Sequence, residues 1–520
     1  MAELKIILLY AIAAALTAVF YKLIVRESDI DPIQLLVAWL VVPIVVVLTK
    51  NIWLTFGLIL LFKVYFLRND IRRNVIFFLF MFPVLPEQFV YPFWEEGNFY
   101  IVNLNFQFVM ALFVLLPLLP GIWALNRDGV EDDKPQLKNA IPWFFVVFIA
   151  VLVVGAFRDR FEFRVTTFSS IRETFTIFLV FALPFYVLVK SVRDYRDIEI
   201  YLGAILLSGV FLAIFAFFEE ALRWKIFNQL GSYLDAYKPG SIAEFYDFRG
   251  PLLRVSGSLG HPITFGFYLT IVLAFSMYFL RRNAVSIVVS LAVIAMVSLA
   301  SFFTVSRGAM VGLVVFFAVL FVYKFHPVAR RLLFVVTLAL GSVFVVVGDN
   351  IFTERSVESV TALDKEGTFN YRLELAKASW VVLQRQLLFG SRNYKGEPEM
   401  QKLVQGQGIV DMVNGYVHIA MEYGLVGLFA FLGLVLASIR TGFRWIAQGE
   451  FCGDPRYSYL GASFVALVLS LAIQFAFTSF DASIVSYWFL AFAVVLSSRV
   501  VLRQIEELDE VEADSLELQR

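Results

Sequence analysis

Long apolar runs, parted by short polar breaks, repeat along almost the whole chain. Backbone polar groups in hydrocarbon must be satisfied within their own segment, so each run predicts a helix, and the period-two alternation of a membrane barrel is absent. The candidate spans are residues 4–24, 33–49, 51–66, 74–92, 99–124, 140–156, 171–190 and 198–218, then 263–280, 283–304, 308–325, 330–348, 414–440, 458–478 and 482–502. They predict an all-α fold, a polytopic integral membrane helix bundle of about 12–15 transmembrane helices. The division within 33–66 rests on Thr49, Lys50 and Asn51 alone, and Pro83 and Pro86 interrupt 74–92. The side of the N-terminus hangs on these two places. No small-residue cleavage site follows the first run, which is read as a retained helix.

The breaks alternate in chemistry. Arg68, Arg72 and Arg73, then Lys190, Arg193 and Arg196, then Arg281 and Arg282, then Lys324, Arg330 and Arg331, and finally Arg440, Arg444 and Arg456 fall on one side. The positive-inside rule makes that side the cytoplasm of a bacterial inner (cytoplasmic) membrane. The expected organisation is N-terminal helices over 1–218, a periplasmic loop over 219–262, helices over 263–348, a large periplasmic loop over 349–413, helices over 414–502 and an acidic cytoplasmic tail over 503–520. One short outer segment breaks the charge rule. Arg158, Arg160 and Arg164 in FRDRFEFR either pair locally with Asp159 and Glu162 or form a basic lip for an anionic ligand.

Composition narrows the function classes. Hydrophobic residues make up 60% of the chain, charged residues 17%, and the net charge is zero, which excludes a soluble domain and supplies no global field for nucleic acid. The single cysteine, Cys452, rules out an internal disulfide, and with only three histidines no metal site is expected. There is no P-loop, dinucleotide-binding glycine pattern, kinase set or zinc HExxH spacing. No cofactor is expected either. The large polar loops face away from cytoplasmic nucleotides, so an activated bond has to arrive on a lipid-borne substrate.

Charges near membrane depth need a partner, a wet cavity or a function. Arg254 and His261 in RVSGSLGHP, Arg307 in TVSRGAM and Arg372 in YRLELAKASW all fall on the outer side. Several guanidinium forks converging at a membrane surface suit a pyrophosphate headgroup. In DMVNGYVHIAME, Asp411, Asn414, His418 and Glu422 would occupy an arc of about 80° if a helix begins near Asp411. That stripe is either a reactive polar face or a capped start, with Asp411 as N-cap and His418 paired to Glu422.

The order R-V-S-G-S-L-G-H-P-I-T-F-G (Arg254 to Gly266), T-V-S-R-G-A (Thr304 to Ala309), Y-R-L-E-L-A-K-A-S-W followed by L-L-F-G, and V-D-M-V-N-G-Y-V-H-I-A-M-E-Y-G-L-V-G-L (Val410 to Leu428) resembles the O-antigen ligase and polymerase superfamily. The resemblance covers about residues 250–435; roughly the first 200 residues are similar only as many-helix membrane sequence. It implies a metal-independent, inverting glycosyltransferase that takes glycan from an undecaprenyl pyrophosphate-linked oligosaccharide donor at the periplasmic face and passes it to a glycan acceptor. On that resemblance Arg254 and Arg307 would hold the pyrophosphate, with Arg372 assisting and His261 beside them. Ligases of the family tend to carry a histidine where Asp411 stands. That departure favours a polymerase of exopolysaccharide or O-antigen repeats, with Asp411 as base, Asn414 positioning the acceptor and His418 lower in the same helix.

Two other classes remain. In a proton-coupled transporter of an anionic or sugar substrate, Asp411, His418 and Glu422 would relay protons; no internal repeat supports it. In an envelope polysaccharide assembly scaffold, the tail IEELDEVEADSLELQ would be a partner site, against the plainer account of a solvated, partly disordered end.

Overall fold

The computed structural model describes residues 2–24, 32–68, 70–87, 89–96, 99–128, 141–162, 166–234, 248–249, 252–279, 284–323, 367–404 and 410–518. The chain is an all-α polytopic bundle. Its helices are α1 (Ala2–Ile24), α2 (Pro32–Thr49), α3 (Ile52–Phe62), α4 (Ile71–Val84), α5 (Phe106–Met110), α6 (Leu119–Asp128), α7 (Trp143–Glu162), α8 (Thr167–Ile177), α9 (Leu183–Ser191) and α10 (Tyr195–Leu222). After α11 (Ile226–Ser232) come α12 (Pro262–Tyr278), α13 (Ala284–Phe303), α14 (Arg307–Tyr323), α15 (Gly367–Arg385), α16 (Pro398–Gln401), α17 (Gly415–Cys452), α18 (Pro455–Phe475) and α19 (Ala482–Leu518). Among the described residues, seven helical stretches are long and apolar enough to cross a membrane, and shorter apolar helices fill most remaining expected spans. The expected span at 330–348 lies outside the described residues.

Helix ends differ from the hydropathy reading where local chemistry intervenes. Lys50 takes a positive φ of 52°, and the Asn51 side chain accepts from Trp53 N (2.9 Å) and Leu54 N (3.2 Å). Those two residues separate α2 from α3, because the cap satisfies amides that a continuous helix would have used. The expected span 74–92 stops at Val84, leaving Glu87 in a connection outside the helix. The expected start of the next span at 99 is also corrected. Residues Phe99–Leu104 form a strand, β2, antiparallel to β1 (Tyr91–Glu96), with Tyr91 opposite Leu104 and Glu96 opposite Phe99. Aromatic and β-branched residues suit such a ribbon, and Asn105, whose side chain accepts from Phe108 N (2.7 Å), starts the helix only after it. The acidic tail continues α19 as helix to Leu518.

Below these ends the core is close-packed aliphatic and aromatic. Most side chains of α10 and almost all of those of α12 are buried. Polar residues inside are hydrogen-bonded across helices: Ser208 Oγ and Tyr268 Oη are 2.6 Å apart, and Gln474 Nε2 donates to Thr270 Oγ1 (2.7 Å). Gly312 makes that second bond sterically accessible, since a Cβ there would overlap the Gln474 amide. In hydrocarbon such bonds and close backbone approaches replace the hydrophobic effect between helices. At the arginine-rich end, Arg72 pairs with the buried Asp197 (2.6 Å), which also completes the capping box that starts α10. The antiparallel connectivity puts the starts of α12, α14, α17 and α19 and the ends of α10, α13 and α18 together at the opposite end.

Candidate active site at the loop end of the bundle

Arg254 follows a two-residue strand, β4 (Leu252–Leu253), paired with β3 (Phe248–Arg249). The backbone around it is pinned by two neighbouring carboxylates at the end of α10. Leu253 N donates to Glu220 Oε2 (3.0 Å), while Gly257 N (3.1 Å) and Ser256 N (3.3 Å) donate to Glu219 Oε2. Val255 N donates to Phe303 O at the end of α13 (3.2 Å), four residues before Arg307. Glu219 is fully buried and Arg254 is 8% exposed. The sequence reading missed Glu219 and Glu220. The signal was available, because two adjacent acids ending an apolar span need partners as much as the arginines do.

Arg307 opens α14 just after Val305, whose φ is 46°. A Cβ on Gly308 would lie 3.6 Å from Phe477 Cβ, so this turn rests on the segment that follows α18. The Arg372 guanidinium, from α15, lies over the Phe477 ring at 5.8 Å. Arg372 and Arg307 repel one another, while Asp411 attracts Arg372. Burial pushes the Arg372 pKa down and Asp411 opposes that shift. Arg372 Nε is buried with no hydrogen-bond partner. Tyr371, its neighbour, holds the Asp411 backbone from both sides: Tyr371 Oη donates to Asp411 O (2.9 Å) and accepts from Asp411 N (3.1 Å). Arg307, Arg372 and Asp411 therefore share one neighbourhood. The Val255–Phe303 bond ties the backbone next to Arg254 to the end of α13, four residues before Arg307.

The proposed polar stripe takes a different form. Asp411 lies in extended chain, and α17 starts at Gly415. Asn414 is the N-cap, its Oδ1 accepting from Tyr416 N (3.0 Å) and Val417 N (3.1 Å). His418 is 7% exposed. Its Nδ1 accepts from Phe480 N (3.1 Å), which leaves the proton on Nε2, 3.1 Å from Glu422 Oε1. Both ring nitrogens are thus engaged, and they fix the turn that carries Phe477 beneath Arg372. His261 caps α12, its Nδ1 accepting from Ile263 N (3.2 Å).

Arg158 reaches across to the junction between Phe389 and Glu422. Its Nη1 donates to Phe389 O (2.7 Å) and Gly390 O (3.0 Å), and its Nη2 to Glu422 O (2.7 Å). Nothing is described of the Arg160 side chain or of Arg164.

Glu87 is a further residue that the sequence reading passed over. Its amide donates to Ser258 O (2.9 Å), one carboxyl oxygen bonds the Ser483 hydroxyl, and the other is buried with no hydrogen-bond partner. Burial, with the Asp481 carboxylate adding, pushes its pKa up to about 8.

Residues 292–432 match the family model described as O-Antigen ligase. No curated protein matches the chain. The matched segment contains Arg307, Arg372, Asp411, Asn414 and His418, and it supports the O-antigen ligase and polymerase superfamily and, with it, a membrane glycan-assembly enzyme.

Proposed function

We propose that this chain, of the O-antigen ligase and polymerase superfamily, is a glycosyltransferase that takes glycan from an undecaprenyl pyrophosphate-linked oligosaccharide and joins it to an acceptor sugar at the periplasmic face, as a polymerase rather than a ligase. The observation that carries this reading is the half-buried Arg372, with an unpartnered Nε, held against Arg307 and Asp411. Two guanidinium groups that repel each other in a partly buried place are relieved by an anion set between them. Guanidinium forks match the oxygens of a pyrophosphate.

In this scheme the Asp411 carboxylate takes the proton of the acceptor hydroxyl. The acceptor oxygen bonds to the anomeric carbon while the bond from that carbon to the pyrophosphate oxygen breaks, and the electron pair departs on undecaprenyl pyrophosphate. Attack opposite the leaving group inverts the anomeric centre. Arg254, Arg307 and Arg372 stabilise the charge that grows on the leaving group, so the scheme needs no metal. Tyr371 positions Asp411. His418 and Asn414 act as positioning residues, one on the Phe480 turn and the other on the first turn of α17. His261 caps the start of α12.

The polymerase assignment rests on Asp411 standing where ligases of the family tend to have histidine. Lipid-linked intermediates in a deletion strain test it. Single repeats stranded on undecaprenyl pyrophosphate are expected. Long chains stranded there would make the protein a ligase, and proton-coupled uptake into vesicles without glycan product would make it a transporter.

A further inference from the structure

At the opposite end of the bundle, α17 and α19 carry four arginines that the proposed reaction does not use. Arg440 and Arg444 lie on α17, Arg499 and Arg503 on α19. The Arg499 side chain reaches between the helices, where its Nε donates to Thr441 Oγ1 (2.7 Å) and its Nη2 to Ala437 O (2.6 Å). Neither acceptor carries charge. Arg444, Arg503 and Arg440 all repel Arg499. Glu506 pairs with Arg444, and among the described residues no carboxylate pairs with Arg440, Arg499 or Arg503.

Depth makes this arrangement expensive. At 1.5 Å per residue, Arg499 lies about 26 Å along α19 from Ala482, near the far edge of a hydrocarbon layer of about 30 Å. Exposed arginines at headgroup level satisfy the positive-inside rule by reaching water. A cation lodged between helices with three more around it is not relieved that way. The neighbouring surface is apolar: Leu436 and Phe443 are 65% and 56% exposed. With Arg440 they stand at i, i+4 and i+7, on one face of α17. A ligand that satisfies the whole patch needs a negative headgroup and long apolar chains together.

We propose that this patch is a binding site for an anionic phospholipid of the leaflet at this end, with its phosphodiester among Arg440, Arg499 and Arg503 and its acyl chains along Leu436 and Phe443. Basic pockets between transmembrane helices recognise such headgroups by the same electrostatics. The site is independent of the glycosyl-transfer reading and stands or falls separately.

The test uses the full-length protein reconstituted in vesicles of mixed phosphatidylglycerol and phosphatidylethanolamine, re-extracted in detergent, with co-purifying lipid measured by native mass spectrometry. The wild type should retain phosphatidylglycerol about tenfold or more over its bulk share. The double variant Arg440→Gln, Arg503→Gln should lose that enrichment while keeping its melting profile, and Arg68→Gln, Arg73→Gln at the same end should keep it. Equal enrichment in the first variant, equal loss in the second, or no enrichment in the wild type would overturn the proposal. Displacement of the lipid by millimolar inorganic phosphate would also overturn it, by making the patch a site for free phosphate.

Discussion

Arg372 sits over the Phe477 ring, near Arg307 and Asp411, and part of that cluster is legible in the sequence. A charge next to an apolar span is anomalous in a sequence, so Arg254, Arg307 and Arg372 could be singled out there. Tyr371 could not, because its role depends on meeting the Asp411 backbone 40 residues away. Glu87 was hidden for the same reason. Its partners Ser258 and Ser483 come from distant loops. The raised Glu87 pKa has a measurable consequence. The folded protein keeps that proton up to about pH 8, whereas the unfolded chain releases it near the ordinary carboxyl value. Between those limits the unfolded state binds fewer protons, so this group's contribution is full at low pH and is lost as pH rises through about 8. Thermal melts in detergent from about pH 5 to pH 9 should therefore fall less steeply for Glu87→Gln than for the wild type. Identical slopes would show that Glu87 is ionised in the folded protein.

The element that most constrains the site is the break in α17. Gly424 has φ +67°, and a Cβ there would lie 2.2 Å from Leu388 O. Gly390 has φ +63°, and its Cβ would meet Met421 O at 2.4 Å. The chain segment Leu387 to Gly390 is therefore laid directly against the helix, with Leu425 N donating to Leu387 O (2.9 Å), Val426 N to Leu388 O (3.1 Å) and Ser391 N to Met421 O (2.8 Å). Arg158 clamps the same junction from α7. Gly424→Ala combines backbone strain of about 1–3 kcal/mol with a backbone clash that no rotamer relieves. The variant should give much less folded protein and a lower melting temperature, read by fluorescence-detected size exclusion; unchanged yield and melting would show that the crossing is loose. Hydropathy could place α17 but not this break, because both sides of the junction are apolar. The span expected from 414 does begin there, at Gly415 after the Asn414 cap, while the conditional start near Asp411 fails because Asp411 and Asn414 are both good caps by type and only the backbone decides which one serves.

The molecule as a whole has two chemically distinct ends, one carrying Arg307 and Arg372 with Asp411 and the other rich in arginine around α17 and α19. The bundle itself was legible because hydrocarbon allows so few backbone solutions. The hairpin at 91–104 was not, since its apolar strand reads as the start of a span. The solitary and exposed Cys452 gives a direct check on orientation. A membrane-impermeant maleimide should leave it unlabelled in intact spheroplasts and label it after lysis; labelling of intact cells would invert the molecule and remove the periplasmic reaction. The central claim is tested most directly by purified protein in proteoliposomes given an undecaprenyl pyrophosphate-linked oligosaccharide, with product length measured for wild type, Asp411→Asn and Arg372→Lys. The account predicts polymer from the wild type, a loss of about 10²–10⁴-fold in the first variant and about 10²-fold in the second. Wild-type product lengths in both variants would contradict it.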